Sequence, residues 1–217
     1  MVLDLSHGKR VYDWLGVHRR VYRGIRWSVC FGRERHLQER AVAAIALKQG
    51  DSVLDLACGA GANLSHLFEA VGSSGKIVAV DYSDGMLATA RAVAKAKGWS
   101  NIEFRQEDAA RLDLPSASFD GALCTFGLSA MPGEDAALRR LTVALKPGAK
   151  LVALDAKTFT GLARAFNPIA GPIFKYTTNW DYEKDVLRSI REVFGEATVD
   201  QYNCGCNFIA VATKQSD

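Results

Sequence analysis

The stretch Val53-Leu-Asp-Leu-Ala-Cys-Gly59-Ala-Gly61-Ala-Asn63 constrains this chain more than any other. An apolar run meets an acid, then two glycines two residues apart, then a helix-periodic segment. That order marks a strand handing over to a helix around a bound ligand. Glycine there permits positive φ and close backbone approach, and the amides opening the next helix point into the same space.

The rest of the body repeats the alternation of strand and helix. Strands are predicted over 52–57, 76–81, 101–106, 119–125 and 150–156, and helices over 61–71, 86–97 and from 134 to Leu145. Short β-rich runs separated by helices of ten to fifteen residues mean right-handed crossovers and parallel pairing. Near the end, a helix over 181–194, capped by Asn179 or Asp181, precedes two alternating runs over 197–203 and 206–214. These read as an antiparallel hairpin added to the parallel sheet. The expected fold is therefore α/β: a single Rossmann-like, doubly wound, mostly parallel seven-stranded sheet with an antiparallel C-terminal hairpin. One domain over 1–217 is expected, with an N-terminal helical cap (1–48), a cofactor-binding core (50–156) and a lid segment on the acceptor side (157–178).

Composition adds exclusions. Apolar residues make up 48% and charged residues 24%, the balance of an ordinary globular protein. No basic stretch followed by an apolar run opens the chain, and no apolar run approaches the ~18 residues of a membrane span. A cytoplasmic protein is expected, at most peripheral to a membrane. Five cysteines form an odd, dispersed set, and Cys204-Gly-Cys206 lacks a second ligand pair at zinc-like spacing, so no metal is expected.

The ligand over the glycine turn follows from what is missing and from where the acids fall. A dinucleotide turn needs a third glycine where Leu64 stands, and a phosphate loop needs a Gly-Lys-Ser/Thr that does not follow. Asp81 ends the second strand, twenty residues after Gly61, where a carboxylate can bind both ribose hydroxyls. Asp55 lies before the turn, unwelcome beside a pyrophosphate but suited to an ammonium or sulfonium. Asp108 follows the third strand, where an adenine amino group could be received. The fourth strand ends in Thr125-Phe-Gly-Leu128, without acid–base apparatus for hydride transfer. Three acids at strand ends suit a cationic, phosphate-free nucleoside, and S-adenosylmethionine is that ligand.

VLDLACGAGAN, VAVDYSDGMLATAR, QEDAARLDLPSASFDGALCTFGLSAMPG and LKPGAKLVALD resemble the successive motifs of class I S-adenosylmethionine-dependent methyltransferases, over roughly residues 50–156. FGLSAM followed by ALRRLTVALKPG is most similar to the UbiE-type quinone methyltransferases, and phospholipid N-methyltransferases share this style of core. UbiE-like proteins usually carry Gly-Leu-Arg-Asn where this chain has Gly127-Leu-Ser-Ala130. The resemblance implies that Asp55, Ala57, Gly59 and Gly61 surround the methionyl part of the cofactor and that Asp81 binds the ribose. It further implies that Tyr82 and Met86 flank the adenine, that Asp108 and Ala109 read its amino edge, and that Phe126 lines the cofactor near the reacting methyl. The implied activity is transfer of a methyl group to a small or lipid-like acceptor, a lipid amine headgroup or a quinone precursor. Alternatives are an RNA-modifying methyltransferase and a cofactor-binding protein without transfer activity. Nucleic acid is not favoured as a partner, for want of a recognition motif.

Two segments outside the core are expected to form the acceptor side. The first, 11–29, drawn as one helix, places Trp14, Val17, Val21, Ile25 and Val29 on one face and Arg19, Arg20, Arg23 and Arg26 on the other. The ordinary expectation is a cover helix packing its apolar side, with solvated arginines. The alternative is a basic amphipathic helix on anionic lipid or over an amphipathic substrate. Charge favours giving this region its own role: residues 1–50 carry a net +6, and the remainder −3. The second segment, 157–176, follows the fifth strand and reads as a mobile apolar lid or as core packing. His18, Asp155 and Tyr176 are the catalytic candidates, and Tyr12 and Lys157 further acceptor contacts.

Overall fold

The computed structural model describes residues 5–215. Three helices lead in: α1 (Leu5–Val17), α2 (Arg19–Val29) and α3 (Glu34–Ile45). The core then alternates β1 (Ser52–Leu56), α4 (Leu64–Val71), β2 (Lys76–Asp81), α5 (Asp84–Lys97), β3 (Ile102–Gln106), β4 (Phe119–Thr125), α6 (Glu134–Ala144) and β5 (Leu145–Ala156). After it come α7 (Asn167–Thr178), α8 (Val186–Phe194), β6 (Ala197–Tyr202) and β7 (Asn207–Thr213).

The seven strands form one sheet in the order β3-β2-β1-β4-β5-β7-β6. The first five are parallel, and β7 runs antiparallel between β5 and β6. This is the doubly wound sheet with a C-terminal hairpin that the sequence pattern predicts. The central strands are rich in buried apolar residues because helices cover both faces, with Asp55 and Asp155 buried among them. Leu54, Leu56, Val78, Val80, Ala122 and Cys124 pack under α6 and α8, while Val53, Ile77, Ala79 and Leu123 pack against α3, α4 and α5. Strand order reverses between β1 and β4, which opens a crevice at their carboxyl ends.

Several boundaries differ from expectation for local reasons. α4 begins at Leu64 and not at Gly61, since Gly61 sits at φ 81° within the turn. β5 begins at Leu145, read from the sequence as the end of the preceding helix, because Leu145 pairs with Phe119 across a register irregularity. α8 starts at Val186, capped by the Asp185 carboxylate, which accepts from the Arg188 amide. Asn179 instead ends α7 in a left-handed conformation. The 157–178 segment is built of a 3-10 turn (Gly161–Phe166) and α7, with Pro172 inside the helix.

The largest departure is at the N-terminus. The chain breaks at His18, so α1 and α2 do not share one helical face. Trp14, Val17 and Val21 are exposed, and Arg26, expected on the solvated side, is buried at 8% exposure. No helix among the described residues is long and apolar enough to cross a membrane.

Candidate active site

The turn after β1 is held by backbone bonds and by one carboxylate. Ala57 takes φ 54°, a conformation that costs an L-residue about 1–2 kcal/mol, and the Cys58 amide then donates to Val80 O at 2.9 Å. Gly59, at φ 55°, donates its amide to Asp81 Oδ2 at 2.8 Å, and the Ser83 amide donates to Oδ1 at 2.9 Å. Burial pushes the Asp81 pKa up, and the two amides oppose it. Gly61 has a packing role: a Cβ there would lie 2.7 Å from Leu64 Cδ1 and 3.2 Å from Ala90 Cβ.

A cavity opens above this turn. Ala57, Gly59, Asp81, Tyr82, Asp108, Ala109 and Phe126 line it, as the motifs predict. Three of the predicted cofactor residues do not. Asp55 lies beneath the turn, fully buried, where Asn63 Nδ2 donates to its Oδ1 at 3.2 Å and to Thr125 Oγ1 at 2.9 Å. Its other oxygen has no partner, and burial pushes its pKa to about 7. Gly61 packs on α5, and Met86 is fully buried in the first turn of that helix, its amide donating to the capping Ser83 hydroxyl. Asp55 therefore acts on the turn through Asn63 and Thr125, and only Thr125 of the three reaches the cavity.

The roof of this cavity was not legible in the core motifs. Leu5, Gly8, Lys9 and Tyr12 of α1 line it together with Tyr22 of α2. α1 is fastened by Asp13, whose Oδ1 accepts from the Ser83 hydroxyl at 2.7 Å and from the Gly85 amide at 3.2 Å. A Cβ at Gly16 would lie 2.4 Å from the Gly85 carbonyl carbon, so the two helices meet backbone to backbone. The signal for this contact was Gly16, intrinsically costly inside a helix, whereas Gly8 makes room for Asn179, whose Nδ2 would lie 3.0 Å from a Cβ there.

A second cavity adjoins the first and shares with it Tyr12, Tyr22, Phe126 and Ala130. Phe31, Phe159, Phe174 and Trp180 give it an aromatic lining. Among the described residues its charged lining is Arg26 and Lys157, without an acid, whereas Asp81, Glu107 and Asp108 line the first cavity with Lys9. The Tyr12 hydroxyl donates to Thr178 O at 2.7 Å, which ties α1 to the end of α7.

The catalytic candidates fall in three different places. Asp155 is fully buried under the second cavity and does not line it; it accepts the Ser129 amide at 3.0 Å, the Ser129 hydroxyl and the Ala156 amide. It positions Ser129, which does line the cavity. His18 and Tyr176 lie outside. His18 is exposed at the break between α1 and α2, stacked on Trp14 at 4.0 Å. Tyr176 is 75% exposed, on the outer face of α7. His18 stands in the break between two helices and faces neither cavity, and Tyr176 shares the exposed side of α7 with Ile169 and Ile173.

A profile of the ubiE/COQ5 methyltransferase family matches residues 18–176. The chain belongs to that family. It is 28% identical over 200 residues to the ubiquinone/menaquinone biosynthesis C-methyltransferase UbiE of Pseudomonas putida F1, covering 83% of this chain and 78% of that protein. It is 34% identical over 154 residues to the 2-phytyl-1,4-naphtoquinone methyltransferase of Synechococcus elongatus, covering 69% and 65%. In fold it resembles an S-adenosylmethionine-dependent methyltransferase of Aquifex aeolicus, with a TM-score of 0.59, 22% identity and coverage of 82% and 89%.

As a class I methyltransferase the chain uses S-adenosylmethionine, and the first cavity fits it. Asp81 offers a carboxylate for vicinal hydroxyls, further acids line the wall, and glycine and alanine leave room at the turn. When bound, the cofactor supplies a methyl group activated on a sulfonium. Tyr12, Tyr22, Phe126 and Ala130 line both cavities, so the second cavity meets the first across these four residues. Orientation in a dry site supplies much of the rate for such a displacement.

Proposed function

We propose that this methyltransferase acts on the ring of a reduced quinone precursor, and not on a lipid amine headgroup. The sign of the acceptor cavity carries this reading. Arg26 and Lys157 line it without an acid, so a cationic amine would be repelled while an oxygen-bearing aromatic ring is attracted. The surrounding phenylalanines and Trp180 suit a flat aryl group, since aromatic rings stack favourably against one another. Named relatives that act on ubiquinone, menaquinone and phytylnaphthoquinone precursors point the same way. The test offers labelled S-adenosylmethionine with 1,4-naphthohydroquinone kept reduced, with phosphatidylethanolamine vesicles, and with total RNA. Label in the naphthalene ring is expected; label in the lipid amine or RNA alone overturns the reading.

Such acceptors carry long apolar tails, and the surface beside the acceptor cavity suits their location. Val17, Val21, Trp27 and Phe31 are exposed beside Arg19, Arg20 and Arg23 on α2 and its flanks. Leu162, Phe166, Ile169 and Ile173 are exposed on the neighbouring 3-10 turn and α7. The Phe31 and Phe159 rings meet edge to face at 6.2 Å, so the two groups flank one opening. A peripheral seat on anionic membrane follows from apolar side chains interleaved with arginines.

A further inference from the structure

One buried charge on the acceptor wall has no ligand assigned to it. Arg26 is 8% exposed, with Nε 2.6 Å from Glu34 Oε1 and Nη1 donating to the Tyr22 hydroxyl at 3.2 Å. Nη2 is enclosed and has no hydrogen-bond partner among the described residues. The guanidinium also lies over two rings, its Cζ 5.6 Å from the Tyr22 centroid and 5.4 Å from that of Phe126. Leaving a donor of a desolvated cation unused is costly, and such a cation is retained most readily where an anion completes it.

The location is specific. Tyr22 and Phe126 line both cavities, and the Tyr22 oxygen lies 3.2 Å from the place a Cβ on Gly59 would occupy. The Arg26–Tyr22 pair thus reaches from the acceptor cavity to the edge of the cofactor turn. Because Tyr22 already accepts from Arg26, its own O–H is free to donate to a second oxygen. Lys157 adds a second cation to the same wall.

We infer that Arg26, with Tyr22, is the specificity-determining pair that holds an aryl or enolic oxygen of the acceptor as an oxyanion, adjacent to the atom that receives the methyl. The inference rests on the ring-acceptor reading above and names the atom that reading requires. The hydroxyl proton leaves to solvent, and the electron pair left on the oxygen makes the neighbouring ring carbon nucleophilic. Its bond to the methyl carbon forms as the methyl–sulfur bond breaks with its electron pair going to sulfur. The proton on that ring carbon then leaves to solvent, restoring the aromatic ring. Charge-assisted hydrogen bonds from guanidinium to an oxyanion are about twice as strong as neutral ones, so the pair selects the ionised form.

The test measures ionisation of a bound reporter apart from turnover. 1-Naphthol, and naphthalene as the oxygen-free control, are titrated into the full chain with S-adenosylhomocysteine present. Naphtholate absorbance is followed against pH. The bound naphthol is expected to ionise about one pH unit or more below the free compound. Arg26→Gln should abolish that shift and weaken naphthol binding about tenfold or more, with naphthalene binding unchanged. Arg26→Lys should retain part of the shift. An unshifted midpoint in the native protein, or the same shift in Arg26→Gln, overturns the inference. Should Arg26→Gln fail to fold, Tyr22→Phe and Arg26→Lys decide: the full native shift in both overturns it. Methyl transfer to 1,4-naphthohydroquinone without any naphthol shift would remove the role of Arg26 and leave the ring-acceptor reading standing. A shift without transfer would do the reverse.

Discussion

The Gly59 amide donates to Asp81 Oδ2 at 2.8 Å, so the carboxylate that ends β2 is fixed by the glycine turn that ends β1. The acid is aimed before any ligand arrives, and the Ser83 amide holds its other oxygen. A carboxylate oxygen has capacity for more than one donor, which leaves Asp81 able to take hydroxyls from the cavity.

Asp81→Asn should weaken S-adenosylmethionine binding by about 10–100-fold, the worth of one or two hydrogen bonds to a charged group. Because burial raises the Asp81 pKa, native affinity should fall on acidification at a higher pH than an ordinary carboxylate would give. Calorimetry at several pH values checks both. Native-like affinity in the variant would remove Asp81 from the site.

Asp55, its pKa raised by burial like that of Asp81, gives a signature in stability. Its pKa is about 7 in the fold against 3.8 ordinarily, so between these values the folded state holds a proton that the unfolded state has released. Stability from this group is therefore lost as pH rises from about 4 to about 7 and is constant above. Asp55→Asn removes the titration and offers an N–H near the unpartnered Asn63 Oδ1. The variant should gain stability relative to the native protein at pH 8 and not at pH 4, read as melting temperatures of the cofactor-free forms.

Backbone strain at the turn predicts a pair of opposite effects. Ala57→Gly relieves a left-handed alanine and should stabilise by up to about 1 kcal/mol. Gly127→Ala would place a Cβ 2.6 Å from that of Ala57 and 2.8 Å from Cys124 Sγ. It should cost about 1–3 kcal/mol as an overpacked core does. Urea denaturation separates the two, and equal stabilities would refute the strain argument.

The proposed membrane seat predicts a charge effect. Reversing Arg19, Arg20 and Arg23 to glutamate should weaken binding to phosphatidylserine vesicles more than about 100-fold, at roughly 1 kcal/mol per basic side chain near the surface. Sedimentation with vesicles reads it. Unchanged sedimentation, or equal binding to neutral vesicles, would count against the seat.

The core was legible because its signals are local. Val53, Leu54 and Leu56, broken only by the buried Asp55, and the run over 77–80 are apolar, as suits strands covered on both faces, and Asp81 stands at a strand end that needs no tertiary knowledge. The N-terminal cap was not. Drawing 11–29 as one helix puts Arg26 with the other arginines, but its partners are Glu34 on α3 and Phe126, a hundred residues on. Nothing in the helical period announces a cation that a distant ring and a neighbouring helix bury. Met86 differs in the converse way: the resemblance implies that it flanks the adenine, while its side chain is fully buried in the core. Tyr12 was picked out for the acceptor side and lines both cavities.

The two cavities differ in sign, acids lining one and arginine and lysine the other. Methyl transfer turns a sulfonium into an uncharged thioether, so the acids that gathered the donor lose their grip on its product. The pull of the first cavity on its ligand therefore weakens with the transfer itself, while the hydrogen-bonding groups that Asp81 offers stay the same.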